Sequence, residues 1–176
     1  GPPLGGGDIS VTAGGNIAMS GTTGNGAVIR ALGNVTLHAD AAGKSISQDT
    51  DSFVQANTLT ATANSGIALS GANTVTNFNA TNTTSGGIAL NNSGALTISG
   101  LTQSAAGAVS ITNAGNVTNS GTFSSAGAAS VNVGVNTFTN NGVLRPWWYK
   151  PFSTSSASLR VVLVSGLCAA LLLSLH

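Results

Sequence analysis

A step of 21 residues runs through the middle of this chain, and it limits the possible folds more than any other feature. Gly66-Ile67-Ala68-Leu69-Ser70 recurs as Gly87-Ile88-Ala89-Leu90-Asn91 and then as Ala108-Val109-Ser110-Ile111-Thr112, and the step reaches back to Ile46 in Ser45-Ile46-Ser47. A second element keeps the same step: Val75-Thr76, Leu96-Thr97, Val117-Thr118, Phe138-Thr139. A third, fainter one stays in register at Gly100-Leu101, Gly121-Thr122 and Gly142-Val143. After Ile111 the first element slips by one residue, to Val131 and Val133. Three elements sharing one step form a structural repeat, in which each unit buries its apolar side against the next.

The elements themselves are strands. Ile-x-Leu, Leu-x-Ile and Val-x-Val put two β-formers on one face with a small residue between them facing out. Gly, Asn and Ser bound each run and tolerate the backbone that a corner needs. Apolar residues never fall at the helical spacing through the body, so helix is excluded. Three short strands and three corners in about 21 residues describe one coil of an all-β, right-handed parallel β-helix. Successive coils stack at ~4.8 Å, so residues 8–144 predict six or seven coils and roughly 30 Å of rod. Inward side chains should form columns: Ile46, Ile67, Ile88 and Val109 in one, Val75, Leu96, Val117 and Phe138 in another. The earlier strands (Ile9/Val11, Ile17/Met19, Val28, Val35/Leu37) keep the spacing less well, and residues 40–56 break the pattern enough to predict a longer loop.

The repeat also accounts for a shortage of charge. Only 5% of the 176 residues are Asp, Glu, Lys or Arg, against about a quarter in an average domain. A charge at a repeated position would lie ~4.8 Å from its copies above and below and be repelled by them. Asn, Thr and Ser can instead hydrogen-bond along the stack. From Ser52 to Leu144 there is no Asp, Glu, Lys, Arg, His or Cys. Ordinary disorder is excluded too, because 41% of residues are hydrophobic and the net charge is +1, whereas disordered chains combine low hydrophobicity with high charge. Three regions result: a linker-like start at 1–7, the repeat region at 8–144, and a non-repeat tail at 145–176 carrying a short hydrophobic segment, read either as a helix or as non-native sequence. The chain begins Gly1-Pro2-Pro3 with no signal peptide, which suggests a fragment of a longer protein. Cys168 stands alone, so there is no disulfide framework or zinc pattern.

Four segments resemble the repeats of filamentous-haemagglutinin-like exoproteins: Gly33-Asn34-Val35-Thr36-Leu37, Ser65-Gly66-Ile67-Ala68-Leu69-Ser70, Gly94-Ala95-Leu96-Thr97-Ile98-Ser99-Gly100 and Gly115-Asn116-Val117-Thr118-Asn119-Ser120-Gly121. These are large bacterial adhesins secreted by the two-partner route, with rod-like β-helix passengers. The resemblance covers about residues 8–144 and implies a structural shaft fragment of a secreted, cell-surface adhesin that supports attachment or biofilm contacts. It also implies an outer-membrane secretion partner, although the family's N-terminal secretion domain is not evident. No functional residue of the family carries over.

The candidate sites are few. Catalysis needs clustered carboxylates or basic groups, and a 93-residue stretch without one cannot supply them; no catalytic, cofactor or metal residue is expected. His38, Asp40, Asp49 and Asp51 form the one group that could hold calcium or act as acid and base, but they read better as solvated loop charges because no metal spacing is met. Gly5-Gly6-Gly7-Asp8 does not complete a calcium-binding nonapeptide. Asn34, Asn79, Asn82, Asn91 and Asn116 begin Asn-x-Ser/Thr triplets, no more than composition alone produces. Thr76, Thr97, Thr118 and Thr139 form a candidate outward ladder, which supplies the alternative function: an ice-binding or other surface-binding solenoid. Against it stands the ordinary preference of strands for β-branched residues, together with the lack of a second Thr column at Asn77, Ile98, Asn119 and Asn140.

In the tail, Trp147, Trp148 and Tyr149 precede an uncharged run from Val161 to Leu175, marginal for a membrane span of ~17–25 residues. It reads as an anchor through residues 159–175, a lipid-anchor signal at Ser155-Ser156-Ala157, or an out-of-frame end. Cys168 inside the run reads as a small hydrophobe. The expected partners are therefore the secretion partner, a host or neighbouring-cell surface, and further copies by end-to-end association of uncapped coils. The three scattered basic residues of the tail make no nucleic-acid footprint.

Overall fold

A computed structural model describes residues 7–145; the linker residues 1–6 and the tail readings beyond Arg145 lie outside the described residues. The described chain is all-β, with no helix. Its fifteen strands are β1 (Ile9–Thr12), β2 (Ile17–Met19), β3 (Val28–Arg30), β4 (Asn34–Ala39), β5 (Ile46–Gln48), β6 (Phe53–Ala63), β7 (Ile67–Asn82), β8 (Ile88–Ser93), β9 (Leu96–Gln103), β10 (Val109–Ala114), β11 (Val117–Asn119), β12 (Thr122–Ser125), β13 (Ala129–Asn132), β14 (Phe138–Asn140) and β15 (Val143–Arg145).

Every ladder between these strands is parallel. They stack as a β-solenoid of about six turns. One sheet, sheet 1, runs through β1, β4, the second half of β6, the end of β7, β9, then β11 with β12, and β14 with β15. Sheet 2 runs through β2, β5, the start of β7, β8, β10 and β13. A short third side joins β3, Phe53–Gln55 and Thr74–Val75.

The alternation seen in the sequence becomes the burial pattern: along β7 exposed and buried residues alternate almost without a break. Inward side chains form continuous columns. On sheet 2, Ile17, Ile46, Ile67, Ile88 and Val109 lie directly across from one another, so the expected column extends one coil further back. On sheet 1 the columns are Ile9, Val35, Leu59, Phe78 and Ile98, and beside it Val11, Leu37, Ala61, Ala80, Leu101, Phe123 and Leu144. Phe78, Leu59, Leu37 and Ile98 are fully buried. Removing a side chain of this size from water is worth about 1.5–3 kcal/mol, so the columns form the continuous core.

Two expectations about spacing are corrected. The step of 21 holds on sheet 2 from Ile46 to Val109, but on sheet 1 Leu59 to Phe78 is 19 residues and Phe78 to Ile98 is 20. Val75 and Thr76 therefore lie out of register with Leu96 and Thr97, while Leu96, Val117 and Phe138 do align. An irregularity after Phe78 absorbs the difference: Asn79 faces Gly100, and Ser99 is extra. Gly100 suits that place, since a Cβ there would lie 3.3 Å from the Asn79 amide oxygen.

Residues 40–56 do not form a long loop. They contain β5 and the start of β6, both in register with the coils on either side. The extra length falls mainly in the first coil, where Ile17 to Ile46 is a step of 29 residues and a small antiparallel turn pairs Thr22 with Asn25. The acidic residues in 40–56 mark corners, which leave the column pattern undisturbed.

Where coils meet at corners, backbone approaches backbone. A Cβ on Gly107 would lie 1.8 Å from the Gly86 carbonyl oxygen, and one on Gly71 equally close to that of Ser52. Only glycine fits at such places.

Candidate functional site

The outward positions of sheet 1 form a grid. Thr97, Thr118 and Thr139 lie directly across from one another, as the sequence suggests. Thr76 is not part of that column; the neighbour of Thr97 is Asn77, and the column continues through Thr58 to Asn34. A second outward column passes through Ser10, Thr36, Thr60 and Asn79, and a third through Thr12, His38, Thr62, Thr81, Thr102 and Ser124. A second run of threonines, Thr62, Thr81 and Thr102, does lie in the third column, but the coils that carry Thr118 and Thr139 have Ser124 and Arg145 there. Repeat spacing could not show these columns, because the steps between their members differ. The available signal was the alternation Thr58-Leu59-Thr60-Ala61-Thr62 within one strand.

These hydroxyls do not bond to one another. Among the described residues, threonine hydroxyls find protein partners only at Thr83 and Thr84, in a corner. The polar ladder lies inside instead. Asn73, Asn92 and Asn113 stack at one corner of the coil, all buried. Asn92 donates to the Asn113 amide oxygen at 2.9 Å and accepts from the Val75 N–H at 2.8 Å. Gln48 continues this network, donating to Asn73 at 2.9 Å and accepting from the Gly71 N–H at 3.0 Å. At another corner, Asn82 donates to Gln103 at 3.0 Å. A buried amide must be bonded or costs free energy, and here its partners are the backbone groups that leave the ladder where the chain turns.

The acidic candidates do not converge. His38 Nε2 lies 3.0 Å from Asp40 Oδ2 in a solvent-exposed pair. Asp49 holds a different corner, accepting from the Gly21 N–H at 2.7 Å and the Ser52 N–H at 2.8 Å. The Ser52 hydroxyl first, and then the Gly21 amide, hold its carboxyl below the ordinary value. Ser52 in turn accepts from the Ala27 N–H, so the pair fastens the first-coil excursion. Asp51 is exposed, and Asp8 accepts from the Asn34 N–H at 2.7 Å. Among the described residues no three His, Cys, Asp or Glu side chains gather as a metal site would require.

Of the triplet asparagines, Asn82 is buried and bonded to the Ser85 carbonyl, whereas Asn34, Asn79, Asn91 and Asn116 are exposed. The outer face of sheet 2 is a shallow trough of about 550 Å³ lined by small residues such as Ser47, Ala68, Ala89 and Ser110. Arg30 lies over the Phe53 ring, 5.3 Å from its centroid, on the third side.

The fold and this grid define a class: a charge-poor parallel β-solenoid with amide ladders inside and hydroxyls outside. Comparison with protein-family models, curated proteins and solved structures finds no match.

Proposed function

We propose that residues 8–144 serve as a length of non-catalytic shaft in a secreted bacterial surface adhesin, holding a binding tip away from the cell. The observation that carries this reading is the uninterrupted parallel stack, with core columns such as Ile17 to Val109 crossing coil after coil. Each coil contacts only its neighbours, so length grows by repetition and stiffness follows from stacked hydrogen bonds. The repeat motifs shared with filamentous-haemagglutinin-like exoproteins support the adhesin assignment. From the same resemblance, the partners are an outer-membrane secretion protein and a host or neighbouring-cell surface. The strand edges at the two ends of the stack favour end-to-end contact between copies.

Deleting one whole coil, residues 67–87, tests the shaft directly. The expected product keeps its β circular dichroism and shortens by ~4.8 Å in small-angle scattering. A compact particle, or one that loses its fold when a single coil is removed, would contradict a modular rod. With a two-partner secretion domain fused ahead of residues 8–144, export that depends on the cognate outer-membrane transporter is the expected result; retention of the fusion would contradict a passenger shaft.

A further inference from the structure

We propose that the outer face of sheet 1 is an ice-binding face, with ordered water as its ligand. The argument begins with an asymmetry between two faces that share one backbone geometry. Outward positions on sheet 1 include Thr36, Thr58, Thr60, Thr62, Thr81 and Thr102. The equivalent positions on sheet 2 are Ser47, Ala68, Ala89, Ser110 and Ser130 in one column, and Asn91, Thr112 and Asn132 in the next. Strand propensity favours Thr on any half-exposed sheet surface, so it would fill both faces alike. It does not explain six threonines on one face and a single one, Thr112, among Ala, Ser and Asn on the other.

The second observation is that the sheet 1 hydroxyls are unspent. Threonine hydroxyls bond to protein only at Thr83 and Thr84 among the described residues, although the buried amides at the corners of the coil are densely bonded. Each outward Thr therefore presents a free donor and acceptor beside a methyl group. The backbone sets their spacing at ~4.8 Å between strands and ~6.6 Å along a strand, two residues at a time. Branching at Cβ restricts χ1, so little side-chain freedom remains to be lost on binding. Charge is absent from the middle of the face; His38 and Arg145 sit toward its two ends, in the third column.

A rigid, uncharged grid of this kind fits a ligand that is itself a hydrogen-bonded lattice. Hexagonal ice exposes planes whose oxygen repeats are of similar size in both directions. Hydroxyls can replace lattice waters while the methyl groups fill the hollows between them. A sugar polymer would instead want aromatic stacking, and a polyanion would want basic side chains. The face from Thr58 to Ser124 offers neither. This inference is independent of the shaft reading, since a rod can bear such a face whether or not it carries a tip.

The test uses the full chain and ice itself. The wild-type protein is expected to shape ice crystals and open a gap between melting and freezing points. Thr60→Lys, in the middle of the grid, should abolish the gap, and Ser110→Lys on sheet 2 should leave it intact. Thr102→Lys, at an exposed position, serves as a second variant if Thr60→Lys fails to fold by circular dichroism. A folded wild-type protein without ice shaping or a freezing gap overturns the proposal, as does equal activity in the sheet 1 and sheet 2 variants. Rod length from scattering is read separately, so losing one inference leaves the other standing.

Discussion

Asn119 of β11 lies directly across from Ile98 of β9, so a buried amide stacks on an apolar side chain. Its Nδ2 donates upward to Asn140 at 2.7 Å, but its Oδ1 has no partner. The column beneath is apolar throughout: Val35, Leu59, Phe78, Ile98. A polar ladder begins at this point on top of an apolar one, and the join leaves one acceptor orphaned.

Replacing Asn119 with Val should therefore stabilise the protein. An orphaned buried acceptor costs about 1–3 kcal/mol, and the freed Asn140 oxygen sits on an exposed residue where water can serve it. A rise in the denaturant midpoint at unchanged slope is the expected result. A fall would mean that the Asn140 bond outweighs the orphan.

Asn92→Ala should act in the opposite sense. It strips the Val75 N–H of its acceptor and leaves the Asn113 oxygen without its donor, both within the buried corner. Each unsatisfied group costs about 1–3 kcal/mol, so equilibrium unfolding should show a loss of about 2–5 kcal/mol. A change near zero would show that water can enter this corner and replace the amide.

Ile88→Ala removes a fully buried side chain from the middle of the sheet 2 column, between Ile67 and Val109. Truncations of this kind cost about 2–5 kcal/mol. The same change at Ile9, half-buried on the first rung, should cost clearly less in the same urea titration. Equal losses would mean that the end coil is covered as well as the middle.

Gly107→Ala tests the closeness of the coils. Its Cβ would fall on the Gly86 carbonyl, a backbone atom that cannot swing away. Overpacking costs about 1–3 kcal/mol, expected here as a lower thermal midpoint. The matched control is Gly14→Ala, where nothing lies within 4 Å of the added methyl group.

Acid should loosen the first coil before the rest. The carboxyl of Asp49 is held below its ordinary value by Ser52 and Gly21. A depressed folded-state value gives stability that is present above the unfolded value, near pH 4, and lost as pH falls through the folded one. Hydrogen exchange at Gly21 and Ala27 should therefore quicken below about pH 4, and Asp49→Asn should remove that dependence. Uniform acid sensitivity along the rod would argue against a local clasp.

Much of this architecture is legible in the residues themselves. The recurrence of Ile-x-Leu at a fixed step identifies strands, their inward face and the stacking of Ile46, Ile67, Ile88 and Val109, because side-chain direction alternates strictly along a strand. Less legible is the threonine grid. Thr60, Asn79 and Gly100 share a column although the steps between them differ, and a search at constant spacing passes over them. The amide ladder was hidden for another reason. Asn is common throughout the chain, and its composition does not reveal that Asn73, Asn92 and Asn113 point inward while Asn91 and Asn116 point out.

By itself, then, the sequence determined a parallel β-solenoid almost free of charge, since a short repeat of alternating apolar residues can bury them only by stacking and since stacked charges repel. The tertiary structure alone decided register. Corners absorb insertions such as residues 20–27, and an extra residue such as Ser99 shifts one sheet without disturbing the other. Which residue meets which therefore depends on how each coil closes. That closure places Thr97 beside Asn77 rather than Thr76, aligns Thr62, Thr81 and Thr102, and sets Asn119 upon Ile98.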